Sequence, residues 1–580
     1  MQEKIIEIKQ CKNCNTSFEI TDKDLEFYEK VSPILAWKKY LIPTPTFCPE
    51  CRQQRRLSFR NERKLYKRVC DATGKPIVSI YSPEKPYKVY NQEFWLSDNW
   101  NALDYWIDFD FNKWFFEQFN ELFKNVPKQS IIGSNNYNSD YCNLSADNKD
   151  CYLISESSNN EQCYYWYWLQ KCVNCIDSWF VHECRYLYES DNCNNCYNSN
   201  YLFNCVNCSE SSYLEDCIGC NYCYCCVNLV GKKYHIFNEE YSPEEYETEI
   251  AKLKKTINIK EKFFEFKKTF PKKYSRIFNS QNCSWDYIEN SNNCYKCFDA
   301  YDAEDCRYWH HVWRNAKDCM DVSTAWRDAE KIYEAINCGI SDYGINFSVQ
   351  CWDGCNNLNY CINSYSISNC FWCVWLRNKS YCILNKQYTK EEYEILVAKI
   401  IEHMIIPHPN PLLCKERGQA TIEWWEFFPS SISPFGYNET VAMEYFPIHP
   451  PLTPPYEGEC FNWSTYESPF PNVEKVIKAN MLPADISDIP DDILNWAIEC
   501  EISKKPFRII KPELEYYRKH DLSIPRRHPD QRHLDRMQMR NTEKLYDRKC
   551  DKCWVDMKTT YSPDRKELVY CEKCYEKEIY

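Results

Sequence analysis

The sequence predicts a multi-domain, mainly β fold, in which two cysteine-knuckle modules flank two cysteine-rich β-solenoid arrays, each array closed by a short helix. Three observations carry this expectation. Residues 48–94 align without a gap to residues 528–574, with 16 of 47 positions identical, so the two ends are copies of one module. Paired CxxC motifs recur within those copies. Between them, from Cys142 to Cys226, a cysteine opens segment after segment, and the segments are mostly nine or twelve long. A less regular series follows from Cys283 to Cys382.

The terminal modules come first. A second offset aligns "CKNCNTSFEITDKDLEFYEK" with "CEISKKPFRIIKPELEYYRK", which extends the copies to residues 11–94 and 500–574. The first copy holds Cys11, Cys14, Cys48 and Cys51, and its counterparts in the second are Cys500, Ser503, His528 and Gln531. The second holds Cys550, Cys553, Cys571 and Cys574, facing Cys70, Thr73, Asn91 and Phe94. An ancestral module with two four-cysteine sites, of which each copy has kept one, explains the pattern. Two cysteines at i and i+3 on a tight knuckle aim both sulfurs at one metal, and a second pair completes the tetrahedron that Zn²⁺ prefers in closed structural sites. We therefore expect two structural Zn²⁺ ions per chain in zinc-ribbon or knuckle modules. The rival readings are unliganded buried thiols or a redox CxxC, and paired knuckles argue against both.

The repeats come next. The alternation of nine and twelve gives a period near 21, read as one solenoid coil with two cysteine-led strands. The 27 cysteines of the two series then stack inside as small buried side chains, with metal binding by stacked thiols or disulfide ladders as alternatives. Each series ends alike: "CVNLVGKKYHIFNEEYSPEEYETEIAKL" and "CVWLRNKSYCILNKQYTKEEYEILVAKI" agree at 14 of 28 positions. Ser or Thr before a glutamate-rich apolar run predicts a capped helix that covers the last open strand edge.

The expected organisation is zinc module A over 1–97, an aromatic connecting helix over 98–133, the first array with its helix over 134–256, and a Lys-rich linker helix over 257–280. The second array with its helix follows over 281–404, then a Pro-rich insertion around a packing segment over 405–460, a connector over 461–499, and zinc module B over 500–580. The proline-dense flanks of the insertion, 407–420 and 447–459, are expected to be disordered.

Composition bounds the function. The chain has 580 residues, room for more than one core, and a net charge of −13, which argues against a surface that coats nucleic acid. Its start lacks an apolar signal region and no run of about 18 apolar residues occurs, so a cytoplasmic protein with reduced thiols and no membrane association is expected. Against the acidic whole stands a local basic pattern. Arg52, Arg56, Arg60, Lys64 and Arg68 fall at every fourth position, as do Arg532, Arg536, Arg540, Lys544 and Arg548. On a helix this line forms a broad basic arc that either binds phosphates or pairs with acidic neighbours. Three acids, Asp535, Glu543 and Asp547, interrupt the second arc. No P-loop, GxGxxG, GxSxG or HExxH is present, and His310 and His311 among tryptophans read as packing residues.

The segments "CKNCNTSFEI", "FCPECRQQRR", "RNERKLYKRVCD", "NKQYTKEEYE", "SPFGYNETVAMEYFP" and "YSPDRKELVYCEKC" resemble a group of zinc-ribbon, cysteine-rich repeat proteins from uncultivated bacteria with reduced genomes. The resemblance covers the chain outside the proline-rich flanks and implies no particular activity. Some members carry a CoA-transferase-type name (CaiB/BaiF), for which this sequence holds no motif. It departs from the group in the inserted flanks and in Trp554, where glycine is more usual after a CxxC. Together these readings point to a zinc-binding scaffold whose solenoid surface meets a protein or carbohydrate partner. RNA or DNA binding through the basic arcs is the alternative, and an enzyme with its site in the second array is the third reading.

Overall fold

The computed structural model describes residues 3–35, 37–254, 258–313, 315–325, 327–409, 420–448 and 461–579. The architecture is mainly β, dominated by a β-solenoid over residues 133–383. Most of the proline-rich flanks lies outside the described residues.

The coil length follows from the parallel pairing register. Asn143 pairs with Ser155, Tyr152 with Tyr164, Tyr167 with Trp179, Trp179 with Asp191, and Ser212 with Tyr224. The interval is twelve each time, as it is for the side-chain bonds that join one coil to the next. The expected coil of about 21 is therefore corrected. The backbone gives the reason. From Leu144 to Phe237 every third residue, without interruption, has φ between 43° and 66°. Each such residue turns a corner, so four three-residue sides close one coil. The side chain after each corner points to the axis. Cys172, Cys175, Ser178 and Val181 fill one layer, then Cys184, Leu187, Ser190 and Cys193, then Cys196, Ser199, Leu202 and Cys205, all buried. Four inward side chains around so narrow an axis leave room mainly for small ones, and cysteine and serine meet that limit while finding hydrogen-bond partners. The Cys172 thiol faces the carbonyls of Gln170 at 3.4 Å and Val181 at 3.5 Å, and the Ser199 hydroxyl donates to Tyr197 O at 2.8 Å and accepts from Ser211 N at 3.1 Å. The spacings of nine and twelve arise because cysteine occupies different sides of the same coil.

Past Ile277 the register varies. Ile277 pairs with Ile288, Trp285 with Cys297, Lys317 with Glu330 and Asn356 with Ser368, so the coil interval takes the values eleven, twelve and thirteen. The buried Trp309 lies on Arg307–Trp313, the strand from which the coils lengthen to the largest of these. The solenoid strands form one sheet before and one sheet after the helices Pro243–Leu253 and Ile259–Lys267. The helices after the last coils form as expected. Ser242 caps Pro243–Leu253 with Glu245, and Thr389 caps Lys390–Ile405 with Glu392, both as capping boxes. The edge itself is closed one step earlier, by the short antiparallel strands Glu239–Glu240 and Lys386–Gln387 and by the asparagine that precedes each. Asn238 exchanges two hydrogen bonds with the backbone of Val227, and Asn385 does the same with Val374, all at 2.9 Å.

The aromatic connecting segment is helical only over Phe115–Asn125, with a short 3₁₀ turn at Ala102–Tyr105 before it. Its end, "FFEQFNELFKNVPK", has a counterpart in "FFEFKKTFPK" before the second sheet. Each leads into a short strand that joins a terminal module: Lys128–Gln129 pairs with Val89–Tyr90, and Lys272–Lys273 pairs with Val569–Tyr570, the equivalent strand of the other copy. The remainder of each module crosses over. Module A lays the helices Asp22–Val31 and Pro49–Leu57 on the second sheet, where Phe27 and Tyr28 meet Tyr333. Module B lays Lys511–Lys519 and Pro529–Met537 on the first, where Tyr517 meets Tyr188. Each module thus braces both sheets. The segment 426–447 packs between them, with Val441 N on Arg60 O at 2.9 Å and the Ser433 hydroxyl on Ser58 O at 2.7 Å.

Candidate metal centres

The modules contain four equivalent knuckles. In each, the residue after the second ligand position adopts positive φ: Asn15 (60°), Gly74 (71°), Lys504 (60°) and Trp554 (62°). Its N–H returns to the carbonyl of the first cysteine, Cys11, Cys70, Cys500 or Cys550, at 2.9 to 3.2 Å. A fully committed turn explains why Trp554 is tolerated where glycine fits more easily, since the flanking hydrogen bonds hold the strained residue in place. Backbone N–H groups from the partner half of the module also reach three of the first sulfurs: Cys48 N to Cys11 Sγ at 3.3 Å, Asn91 N to Cys70 Sγ at 3.2 Å, and Cys571 N to Cys550 Sγ at 3.3 Å.

Two of the four knuckles complete a four-sulfur set. Cys11, Cys14, Cys48 and Cys51 bring their Sγ atoms within 4.8 Å of one another, as do Cys550, Cys553, Cys571 and Cys574. Cys14 and Cys48 lie 3.7 Å apart, and Cys553 and Cys571 lie 3.6 Å apart. A tetrahedral thiolate site with metal–sulfur bonds of about 2.3 Å has edges of about 3.8 Å, so both groups can hold a metal ion. Burial raises the Cys550 thiol, but N–H groups of Cys571, Cys553 and Lys552 outweigh it and bring it down to about 6, which favours the ligating thiolate. The other two knuckles keep their turns without four ligands. Cys70 Sγ faces Asn91 Oδ1 at 3.6 Å, and Cys500 Sγ accepts from Ser503 N at 3.4 Å. None of the solenoid cysteines belongs, among the described residues, to a group of three or more donors close enough to share an ion.

The basic arcs are not continuous helices. The first helix ends at Leu57, and Arg68 lies in the strand Tyr66–Val69. The inner arginines are buried among carboxylates of the solenoid. Arg52 meets Asp321 at 2.8 Å, Arg56 lies 3.5 Å from Asp321 and 3.6 Å from Glu334, and Arg60 pairs with Glu62 and, at 2.5 Å, with Glu156. In module B, Arg532 and Arg536 share Asp177, and Arg540 meets Asp299 at 2.8 Å. Lys64 reaches across to Asp530 of module B at 2.5 Å, and Arg68 pairs with Asp71 at 3.4 Å. With their side chains 0 to 2 % exposed, Arg52, Arg56 and Arg60 offer no surface to a phosphate in this structure.

His310 and His311 are buried, yet they are more than packing residues. His311 joins Asp299 and Glu543 in a third group of donor atoms lying within 4.8 Å of one another. Nothing in the expected coil of about 21 singles out Asp299. It stands one true coil before His311, a signal visible only once the coil length is known. Glu543 is the counterpart of Arg63 in module A, a charge reversal between the copies.

Compared with known proteins, the chain matches no family model and no curated protein. Fold and sites define it as a β-solenoid protein braced by two modules that each carry a four-cysteine group.

Proposed function

We propose that this protein is a zinc-dependent scaffold, with two solenoid arrays held side by side by two zinc-ribbon modules and two structural Zn²⁺ per chain. The observation that carries this reading is the coincidence of a closed four-cysteine group with a module that touches both sheets. Four thiolates leave no position for a substrate, so the ion's contribution is to folding. The structural zinc agrees with what the resemblance to zinc-ribbon repeat proteins implies.

The solenoid surface supports a macromolecular partner, protein or carbohydrate, met in the cytoplasm. Val206, Ile218 and Val230 occupy the same position in three successive coils and are 36 to 42 % exposed, a flat apolar row beside ladders of asparagine. Such regular rows suit an extended binding surface. Burial of the inner arginines favours a structural role for the basic arcs over nucleic-acid binding. Salt-sensitive binding of RNA or DNA by the full chain would reverse that preference.

Metal analysis of anaerobically purified protein tests the central reading. Two zinc ions per chain are expected, falling to one in Cys571→Ala. A zinc-free folded protein would end the proposal, and four ions would mean that Cys500 with His528, and Cys70 with Asn91, still bind.

A further inference from the structure

We propose a third metal site, of nitrogen and oxygen donors, formed by Asp299, His311 and Glu543 at the wall of the central cavity. Two stacked corners of the second sheet supply the first pair: Asp299 (φ 50°) and His311 (φ 62°) are one coil apart, with Oδ2 and Nδ1 3.1 Å from each other. Module B supplies the third donor, a Glu543 carboxylate oxygen that lies within 4.8 Å of the Asp299 and His311 donor atoms. Donors bound to one divalent cation at about 2.0–2.2 Å lie about 3.0–3.5 Å apart; Asp299 and His311 already stand at that spacing, and Glu543 has to close on the same Nδ1 edge of the ring.

Three features separate this group from an ordinary ion-pair network. First, the His311 and His310 Nδ1 atoms have no hydrogen-bond partner of acceptable geometry, although carboxylate oxygens lie at 3.1 Å and 2.6 Å. Nitrogen and oxygen are close but poorly aligned for a hydrogen bond, and the 3.1 Å between His311 and Asp299 is a spacing that two ligands of one ion share. Second, each proposed ligand is held from behind by another polar side chain. Arg540 binds the far oxygen of Asp299 at 2.8 Å, Gln53 donates to the far oxygen of Glu543 at 3.0 Å, and Tyr445 Oη lies 3.3 Å from His311 Nε2. Such outer partners fix ligand orientation in metal sites. Third, Asp299, Tyr445, Arg540 and Glu543 line a cavity of about 1190 Å³ between the modules and the solenoid. Three protein donors leave coordination positions open toward that space, unlike the closed four-sulfur groups.

One imidazole and two carboxylates suit a hard-to-borderline divalent ion such as Mn²⁺, Fe²⁺ or Zn²⁺, whereas the thiolate sites select zinc. Mn²⁺ is therefore the probe. Wild-type protein equilibrated with Mn²⁺ and freed of excess should carry three divalent ions per chain by elemental analysis, with bound Mn²⁺ visible as loss of the free-ion EPR signal. Glu543→Gln should retain two and bind Mn²⁺ at least about tenfold more weakly. Glu444→Gln, on another wall of the cavity, should keep three. Should Glu543→Gln fail to fold by circular dichroism, His311→Gln takes its place. Two ions in the folded wild type, or three in the ligand variant, would overturn the proposal.

Discussion

Left-handed residues every three positions are the local device on which the solenoid depends. Outside glycine this conformation is disfavoured, most weakly for Asn and Asp, and the chain has only 10 glycines. The cost is offset by stacking between coils. Asn195 donates to Asn207 at 2.7 Å, Asn204 to Asp216 at 3.1 Å, and Tyr201 stacks on Tyr213 with centroids 4.5 Å apart, each pair one coil apart. This is a physical reason for the abundance of asparagine and tyrosine in the middle of the chain. Buried carboxylates set the pH response at the same scale. Burial raises Glu62 to about 8 despite Arg60, and raises Glu334 to about 7 despite Arg55 and Arg56. Both carboxyls bind their proton more tightly folded than unfolded, so their contribution is fully present below about pH 4.5 and is lost as pH rises through 7 to 8. Glu215 runs the other way. Burial would raise it, but Lys272 and Lys267 hold it near about 2, so its contribution is present above about 4.5 and lost on acidification. Stability should therefore peak at mildly acidic pH, with a decline of at least about 1 kcal/mol between about pH 5.5 and 8.5. Denaturant melts of wild type and Glu62→Gln at both pH values check this, and the variant should show the shallower decline. An equal or steeper decline would remove Glu62 as a cause.

At the scale of the element, a solenoid must end without exposing a sheet edge. Asn238 and Asn385 contribute by satisfying a backbone N–H and C=O of the coil before them, the short antiparallel strands Glu239–Glu240 and Lys386–Gln387 pair with the last coil strand, and the capped helices follow. Asn385→Ala leaves the donor and acceptor of Val374 unpaired while burying both, which should cost about 1–3 kcal/mol. Hydrogen exchange at the Val374 amide should accelerate while exchange in the coils near Cys319 stays slow. Uniform exchange across the sheet would show that the asparagine does not cap the edge.

At the scale of the whole molecule, the modules are fastened through buried ion pairs that join distant parts of the chain. Asp177 accepts both Arg532 and Arg536, and the three side chains are 0 to 5 % exposed. Asp177→Ala strands the buried Arg536 and leaves Arg532 with Glu513 at 3.6 Å, and breaking a buried pair typically costs about 3–5 kcal/mol. The expected result is a lower melting temperature together with protease sensitivity in residues 500–574, with the metal content unchanged because neither four-cysteine group is touched. Unchanged stability would mean that aromatic packing around Tyr188 and Tyr517 holds the module by itself.

Much of this is legible in the sequence. The duplicated module, the eight cysteines of its two complete sites, the solenoid class, the inward cysteines and the two capped helices all follow from local spacing, because knuckles, caps and coil interiors are built from residues near in sequence. Cysteine spacing conceals the coil length, because cysteine is one of several small residues able to fill the axis and so samples the true period without stating it. Asp299 is hidden for the same reason. The arginine spacing is plain, but its meaning is not: only the tertiary structure places Asp321, Glu334, Glu156 and Asp177 against those guanidinium groups. It also brings Glu543 to His311 from the far end of the chain. Such pairings depend on how the modules cross over the two sheets, and that is settled by the burial of whole faces rather than by any spacing along the chain.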